Sequence, residues 1–527
     1  MTATGGQVTV RPLVPLGELL ARTRAEHADR PALVDPRGTL TYAELDDRAL
    51  RLAAALVDLG AKPGDRVILA APNRSEWTVT EHALAAAGLV RVHLIPRLHP
   101  RELAHIAADC EPFAVIVEDG WIRSQGLDWL PAATEHVISI GSEGVPAGVL
   151  EFDALIEAAE PREFPLPEPE DAAALWYTSG STGLPKGVIC SHRTFGASTR
   201  NILTVMPMGS DDVALHSAPI SHWSGAIGLA LTAVGGTNHL RPAFEVEDVV
   251  AQVEAAAVTV LPLVPTQINM LVGAVEPAAA REQMESVRLV PYAGSAIPPD
   301  RLAQALEIFP RALAQFYGSA EVPAPITYLS PEHHATAESS AAHRLASAGR
   351  THPLTEVRIE DADPGTGVGE IACRGLQVTS GYWRMPESTA EARDPEGFFR
   401  TGDLGYLDPE DFLFIVDRKK EMIITGGFNV YPREVENAIS SLDGVAEVAV
   451  IGAPDEKWGE AVTAIVVAAP GAGLDEAAVI AHCRAGIAGY KVPKRVEFID
   501  ELPKSGSGKV QKRQLRDARW AGRERSI

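Results

Sequence analysis

With 527 residues the chain exceeds what one hydrophobic core sustains, so two or more domains are expected. Hydrophobic residues make up 46% and charged residues 22%, and no apolar run approaches the roughly 18 residues of a membrane span, which argues for a globular protein without transmembrane helices. The formal charge of −23 argues against nucleic acid as a partner, while a phosphate site, built from local donors, remains compatible with it.

Residues 1–12 lack the basic-then-apolar layout of a signal peptide, so the expected location is the cytoplasm. The four cysteines, Cys110, Cys190, Cys373 and Cys483, show no metal-ligand spacing and read as reduced thiols. Residues 16–27 form an amphipathic helical pattern. A β-like piece at 39–42 leads into helix 42–59, which Thr41 caps with Glu44 at the capping-box position. Pro63-Gly-Asp then turns the chain into a buried strand at 66–70, followed by helix 76–87, strand 90–95, helix 100–109 and strand 114–118. This alternation predicts parallel α/β layers. A Pro/Glu-rich linker at 161–170 precedes the apolar strand 172–177, and strands are expected again at 213–217, 258–264 and 287–292.

Near residue 369 the texture changes to a β-ribbon, with Gly- and Asp-Pro-broken strands at 398–416. Beyond 418 the pattern is helix 432–441, strands 445–452 and 461–468, and helix 476–488. The expected fold is α/β: a large N-terminal domain, 1–417, of parallel-rich α/β layers plus a β-ribbon or barrel part, joined at a hinge near 420 to a small, mobile α+β C-terminal domain, 418–527.

The stretch that organises the chain is Trp176-Tyr-Thr-Ser-Gly-Ser-Thr-Gly-Leu-Pro-Lys-Gly-Val-Ile-Cys-Ser-His192. Small residues let backbone N–H groups turn inward onto phosphate oxygens, the hydroxyls of Thr178, Ser179, Ser181 and Thr182 add donors, and Lys186 adds a point charge. A Walker A loop does not fit, because Leu184 and Pro185 separate Gly183 from Lys186 and Gly187 follows the lysine. Further stretches follow in order: Pro219-Ile-Ser-His-Trp-Ser-Gly225, Tyr292-Ala-Gly-Ser-Ala-Ile-Pro298, Phe316-Tyr-Gly-Ser-Ala-Glu321, Ser347-Ala-Gly-Arg350, Gly369–Gly375, Phe399-Arg-Thr-Gly-Asp403, Asp417-Arg-Lys-Lys420, Gly426-Gly-Phe-Asn-Val-Tyr-Pro432 and Pro503-Lys-Ser-Gly-Ser-Gly-Lys509.

From about residue 16 to 516 this set resembles the acyl-adenylate-forming superfamily, which contains acyl- and aryl-CoA ligases, luciferases and peptide-synthetase adenylation domains. It is most similar to acyl-CoA synthetases. The resemblance implies that ATP lies against Thr178, Ser179, Gly180, Ser181, Thr182, Gly183 and Lys186. It adds Gly294, Ser295, Ala296, Phe316, Tyr317, Gly318, Ser319 and Ala320, with Asp403 on the ribose hydroxyls and Arg418 and Lys509 nearby. It implies Mg²⁺ on Thr182 and Glu321, and catalytic roles for Lys509, Glu321, His222 and Lys186. An acyl pocket follows from His222, Trp223, Gly225, Val264, Ser295, Gly318 and Ala320. A CoA tunnel involves Gly426, Gly427, Phe428 and Lys491, and the hinge residue is Lys420.

The implied reaction joins a carboxylate to ATP as acyl-AMP with release of pyrophosphate, then transfers the acyl group to CoA with release of AMP. Two anions must approach each other in the first step, which explains the cations and donors. No general base is required, because the acid is already ionised at neutral pH. One position departs from the pattern: Ala320 stands where the family usually has Thr, which removes a donor near the α-phosphate. No acid near His222 is available to pair a substrate ammonium, so a plain carboxylic acid is favoured, in a pocket that suits a bulky, cyclic, aryl or fatty acyl group. Pro454-Asp-Glu-Lys-Trp-Gly-Glu460 and Tyr490-Lys-Val-Pro-Lys494 resemble CoA-ligase segments. The alternatives are loading of an acyl carrier protein, a member performing only one half-reaction, an ADP-releasing phosphotransferase, and a silent ATP-binding protein.

Overall fold

The structure is a computed structural model that describes residues 15–94, 98–179, 185–295, 297, 299–334, 342–425, 428–455, 457–504 and 510–521. The chain divides into two compact units. The first comprises Met1–Leu345, His352–Glu356 and Arg374–Arg393, and the second Ala346–Thr351, Val357–Cys373 and Asp394–Ile527. No helix among the described residues is long and apolar enough to cross a membrane.

The first unit is built on an eight-stranded sheet in the order Gly381–Tyr382, Pro185–Ser191, Ala172–Ser179, Val90–His93, Arg66–Ala70, Ala114–Glu118, His136–Ile140 and Leu150–Glu151. From Ala172–Ser179 to Leu150–Glu151 every pairing is parallel. The two strands at the other edge are antiparallel. Parallel strands need cover on both faces, and the apolar runs supply it: Val67, Leu69 and Ile116 point to one core, Ile68, Val115 and Val117 to the other. Helix Ser75–Ala87 is buried along nearly its whole length and carries polar Glu76 and His82 inward with it. The capping box of helix Tyr42–Asp58 forms as expected, Thr41 and Glu44 exchanging hydrogen bonds.

A second sheet orders Val213–His216, Thr237–Leu240, Pro31–Asp35 and Gly38–Thr41. In a third, Val290–Ala293 lies parallel to Leu313–Tyr317, which pairs antiparallel with Thr327–Leu329. The strand expected at 258–264 is absent as such. Only isolated bridges form, from Val260 to Ala214 and Leu289 and from Leu263 to Tyr292, because Pro262 lacks the N–H that a continuous ladder needs. The strand expected at 287–292 is correspondingly short, Val290–Ala293.

In the second unit, but for the end residues Glu356 and Arg374, the strands Glu356–Glu360, Gly369–Arg374, Phe399–Leu407 and Leu413–Arg418 form one sheet. A five-stranded sheet follows: Val445–Asp455 and Gly459–Ala468 make a long hairpin, joined by Ile423–Thr425, Phe428–Val430 and the parallel strand Arg495–Phe498. Helices Pro432–Ser440 and Glu476–Gly486 close its core with Val435, Ile439, Val479 and Cys483. The terminal helix Lys512–Trp520 buries only Leu515. The fold class is mixed α/β with a large N-terminal and a separate C-terminal domain.

Candidate active site

The Gly/Ser/Thr loop joins two paired strands. Ala172–Ser179 pairs antiparallel with Pro185–Ser191, Thr178 opposite Lys186 and Ser179 opposite Pro185. Gly180, Ser181, Thr182 and Gly183, and the Ser179 side chain, lie outside the described residues. Strand Gly381–Tyr382 adds to the edge of that pair, Tyr382 opposite Val188. That register sets Tyr382 beside the lysine, whose Nζ is 5.5 Å from the ring centre. The Tyr382 hydroxyl donates to Glu321 Oε1 at 3.3 Å. Burial first, then the charge of Glu321, pushes the Tyr382 phenol upward, so it remains a donor. Three segments distant in sequence thus gather a cation, a hydroxyl and a carboxylate.

Glu321 is carried on a tight turn after strand Leu313–Tyr317. The Ser319 N–H bonds the Val322 carbonyl at 3.0 Å, and Ser319 Oγ accepts from the Val322 N–H at 3.1 Å. A Cβ on Gly318 would sit 2.6 Å from Ala324 N and 2.8 Å from its Cα, so glycine is required there. Ser319 Oγ is engaged by the turn and makes a poor substitute for a hydroxyl at 320. Ala320 packs beside Trp176 and Tyr382 against an apolar cluster that includes Cys190.

The second centre is the His222 turn. It follows strand Val213–His216 and is held by Asn73, just beyond strand Arg66–Ala70. Asn73 Nδ2 donates to the carbonyls of His216 at 3.2 Å and Ala218 at 2.8 Å, and its Oδ1 accepts from the Ile220 N–H at 2.9 Å. From the other side, Gly225 lies so close that a Cβ would be 1.8 Å from the Ile220 carbonyl oxygen. Beneath runs a buried polar chain: His216 Nδ1 is 2.7 Å from Ser224 Oγ, and its Nε2 is 2.8 Å from Asn238 Oδ1. Asn238 Nδ2 donates to Thr232 Oγ1 at 2.9 Å. Burial lowers the His216 pKa to about 4, so the ring is neutral, and the chain is satisfied when Nε2–H donates to Asn238 and the Ser224 hydroxyl donates to Nδ1.

His222 itself is exposed, with Nδ1 2.8 Å from Ser221 Oγ. His93 packs edge-on to its ring at 5.3 Å and to Trp176 at 5.9 Å. Burial, then the neighbouring His222 and Arg91, holds His93 well below the usual imidazole range.

Of the residues expected around the acyl group and adenine, Trp223 is half-buried, its indole N–H donating to the Pro291 carbonyl at 3.2 Å. Its ring lies 4.8 Å from Phe316, which lies 4.9 Å from Tyr328. Phe316, expected at the nucleotide, is only 2% exposed and belongs to the apolar core; strand alternation points it inward. Gly294, at φ +102°, and Ser295 are exposed beyond strand Val290–Ala293. Val264 is half-buried before helix Pro265–Ala274. Ala296 lies outside the described residues.

In the second unit Asp403 is buried and pairs with Arg418, Nε to Oδ1 3.0 Å, across neighbouring strands. Lys419 Nζ meets Glu370 at 2.6 Å. Lys420 occupies the short turn Lys419–Glu421 between two strands. Phe428 is 56% exposed with its ring 4.9 Å from Tyr490. Lys491 pairs with Glu434 at 2.6 Å. Gly426, Gly427 and Lys509 lie outside the described residues.

Sequence reasoning missed Asn73, His93, His216 and Tyr382. For Asn73 a signal existed, since it follows the carboxyl end of a parallel strand, where α/β sheets place ligands. His93 and His216 carry the same signal, as the last residues of the parallel strands Val90–His93 and Val213–His216; Tyr382 is legible only through its partners.

The AMP-binding enzyme family matches residues 20–383, and the AMP-binding enzyme C-terminal domain matches residues 434–509. The chain is 38% identical over 507 residues to feruloyl-CoA synthase of an Amycolatopsis species, covering 94% of this chain and 97% of that protein. It is 34% identical over 512 residues to indoleacetate–CoA ligase of Aromatoleum aromaticum, covering 95% and 97%. Among solved structures, ATP-bound MatB from Rhodopseudomonas palustris superposes with a TM-score of 0.84 at 31% identity, covering 96% of this chain and 99% of that one.

Proposed function

Because the chain belongs to the AMP-binding enzyme family, we propose that it is an ATP-dependent carboxylic acid–CoA ligase acting in the cytoplasm on a plain, apolar acid, with aryl and arylalkanoic acids foremost. The carboxylate attacks the α-phosphorus of ATP, pyrophosphate leaves, and the CoA thiol then displaces AMP from the acyl-AMP. The observation that carries this reading is the convergence of Lys186, Tyr382 and Glu321 at the base of the Gly/Ser/Thr loop.

Lys186 and the loop hold the leaving pyrophosphate, where negative charge collects. Glu321, which accepts a hydrogen bond from Tyr382, offers the hard oxygen that Mg²⁺ would take, with Thr182 as a second donor. The ion supplies neutralisation of phosphate oxygens. His222 receives the substrate carboxylate: its ring is exposed, with Nδ1 2.8 Å from Ser221 Oγ. Asp403 takes the ribose hydroxyls, Arg418 the phosphate side, and Lys509 bridges carboxylate and α-phosphate. The small domain, 418–527, pivots at Lys420 between the two half-reactions.

CoA is favoured over a carrier protein by what the second unit exposes. Trp458 is 39% exposed, with Lys457 Nζ 4.7 Å and Lys494 Nζ 6.0 Å from its ring, and Phe428 and Tyr490 form a second exposed pair. Aromatic faces ringed by lysines suit an adenine carrying phosphates, which CoA has and a carrier-protein arm lacks. A carrier protein is the alternative acceptor. The test is acid-dependent exchange of labelled pyrophosphate into ATP over aryl, arylalkanoic and aliphatic acids, with Lys509→Ala as control. Exchange with one acid class, lost in the variant, followed by thioester formation with CoA, supports the reading; exchange that survives in Lys509→Ala refutes the catalytic assignment.

A further inference from the structure

The terminal helix Lys512–Trp520 begins three residues after Lys509. Leu515 seats it in an apolar cluster with Ala449, Ile451 and Leu502, and its far end is tied to the sheet by the Arg519–Glu497 pair and by the Trp520 indole N–H, which donates to the Gly452 carbonyl at 2.9 Å. Its N-terminal end is held by polar contacts. Its first residue, Lys512, is largely buried, with Nζ 2.7 Å from Glu436 and 3.5 Å from Glu421. Asp417 is a third acid facing the same ammonium, and its oxygens accept the N–H groups of Arg418 and Arg433. Burial opposes the charge on Lys512, but Glu436, Glu421 and Asp417 outweigh it and raise its pKa. Four residues on, Arg516 Nη1 donates to the Lys420 carbonyl at 3.3 Å.

Glu436 belongs to helix Pro432–Ser440, but Glu421 and the Lys420 carbonyl belong to the turn that follows strand Leu413–Arg418. The terminal helix is therefore fastened to that turn at two points. The residues just before the turn's midpoint are fastened elsewhere: Arg418 to Asp403 at 3.0 Å and Lys419 to Glu370 at 2.6 Å. Anchorage changes hands between Lys419 and Lys420.

We propose that Lys512 is a positioning residue for adenylation: through Glu421 and Glu436 it joins the helix that follows Lys509 to the pivot turn, so that turning at Lys420 carries the lysine with it. The proposal rests on the ligase reading above. An ion pair is a suitable coupler because it fixes distance and direction at the helix's N-terminal end. It also predicts asymmetry between the half-reactions, since only adenylation uses Lys509.

Removing Lys512 outright leaves three facing acids without their cation and threatens folding, so the informative variants are Glu421→Gln, which loosens the turn while keeping the Glu436 pair, and Lys512→Arg, which keeps the charge. Pyrophosphate exchange and conversion of supplied acyl-AMP to acyl-CoA are measured for each, with thermal unfolding alongside. Glu421→Gln is expected to lower exchange about tenfold while thioester formation from acyl-AMP stays within twofold of the parent, and Lys512→Arg is expected to retain most of the exchange. Equal losses in both half-reactions, or exchange unchanged in a folded Glu421→Gln protein, overturn the proposal. Absence of exchange in the parent enzyme with every acid refutes the ligase reading and this proposal with it.

Discussion

Asn73→Ala is the sharpest test of how the fold serves the site. One 6%-exposed side chain holds the backbone of His216, Ala218 and Ile220 at 3.2, 2.8 and 2.9 Å. All three residues are buried, so water cannot easily replace it. Each lost bond is worth about 1 kcal/mol net, and leaving the buried backbone groups unpartnered raises the total to about 3–5 kcal/mol. Urea denaturation should register that loss. The kinetic effect follows from what Ile220 supports, since the His222 N–H bonds the Pro219 carbonyl at 3.1 Å within the same turn. A shift of about 1 Å at the proposed carboxylate site is worth about 100-fold in kcat/KM for the acid. The KM for ATP should stay within about twofold, because among the described residues the strands that carry Lys186 take no bond from the Asn73 side chain. Asn73→Asp should do no better than alanine, since it sets a carboxylate oxygen against two carbonyls. A folded Asn73→Ala protein that loses under about 1 kcal/mol and keeps its KM for the acid would show that the turn holds itself, and would sink the reasoning.

Gly318→Ala places a Cβ 2.6 Å from Ala324 N, a backbone atom that cannot give way cheaply. Exchange should fall at least about tenfold with a clear loss of thermal stability, and normal exchange rates would refute the assignment of that turn to the site. Burial lowers His82 to about 3 and His192, His216 and His334 to about 4, with Arg24 adding at His82 and Asp171 opposing at His192. The unfolded chain therefore binds these protons more tightly, so their contribution is complete above about pH 6.5 and is lost as pH falls toward 4. At pH 5.5 each costs about 1.4 kcal/mol, roughly 5–6 in all. Asp417, pushed up to about 6 by burial, works with the opposite sign in the second unit, which gains about 1 kcal/mol as pH falls to 5.5. Unfolding midpoints that stay flat from pH 7 to 5.5 would contradict this. Finally, Ala320→Thr restores the hydroxyl that Ser319, engaged at 3.1 Å by Val322, does not supply; pyrophosphate exchange should rise about three- to tenfold, and a fall would mean the half-buried site has no room for it.

What could be read in the sequence was what is local. The capping box at Thr41 and Glu44, the strands Arg66–Ala70 and Ala114–Glu118 and the strand that leads into the Gly/Ser/Thr loop announce themselves within a few residues. The 258–264 expectation failed locally too, because an apolar run outvoted Pro262. Arg495–Phe498 is a strand through its parallel partner Gly459–Ala468 rather than through its own composition. Lys512–Trp520 is so polar that helical periodicity offers one buried residue to notice. At the candidate site the same division holds. Residues that carry chemistry sit in recognisable stretches, whereas those that hold them, Asn73 and Tyr382 above all, act across 147 and 61 residues of chain. No spacing rule connects such pairs.

The way the His222 turn is held bears on how acid selectivity can be built. Asn73 pins its backbone from one side, the absent side chain of Gly225 admits the Ile220 carbonyl from the other, and the neutral His216–Asn238–Thr232 chain sits beneath. Buried polar groups of this kind stabilise the fold little compared with apolar packing, yet fully satisfied they allow one arrangement only. Changing the acid by moving that turn would therefore disturb several buried bonds at once. On the proposed reading, the candidates for selectivity are side chains that hang on that fixed backbone: half-buried Val264 and exposed Ser295, and Trp223, whose indole N–H donates to the Pro291 carbonyl and whose ring faces Phe316. Substitutions at Val264 and Ser295 should exchange one acid for another by the 10–200-fold that a methylene or two commands while stability stays within about 1 kcal/mol of the parent. Loss of stability in step with every change of acid preference would place selectivity in the backbone of the turn instead.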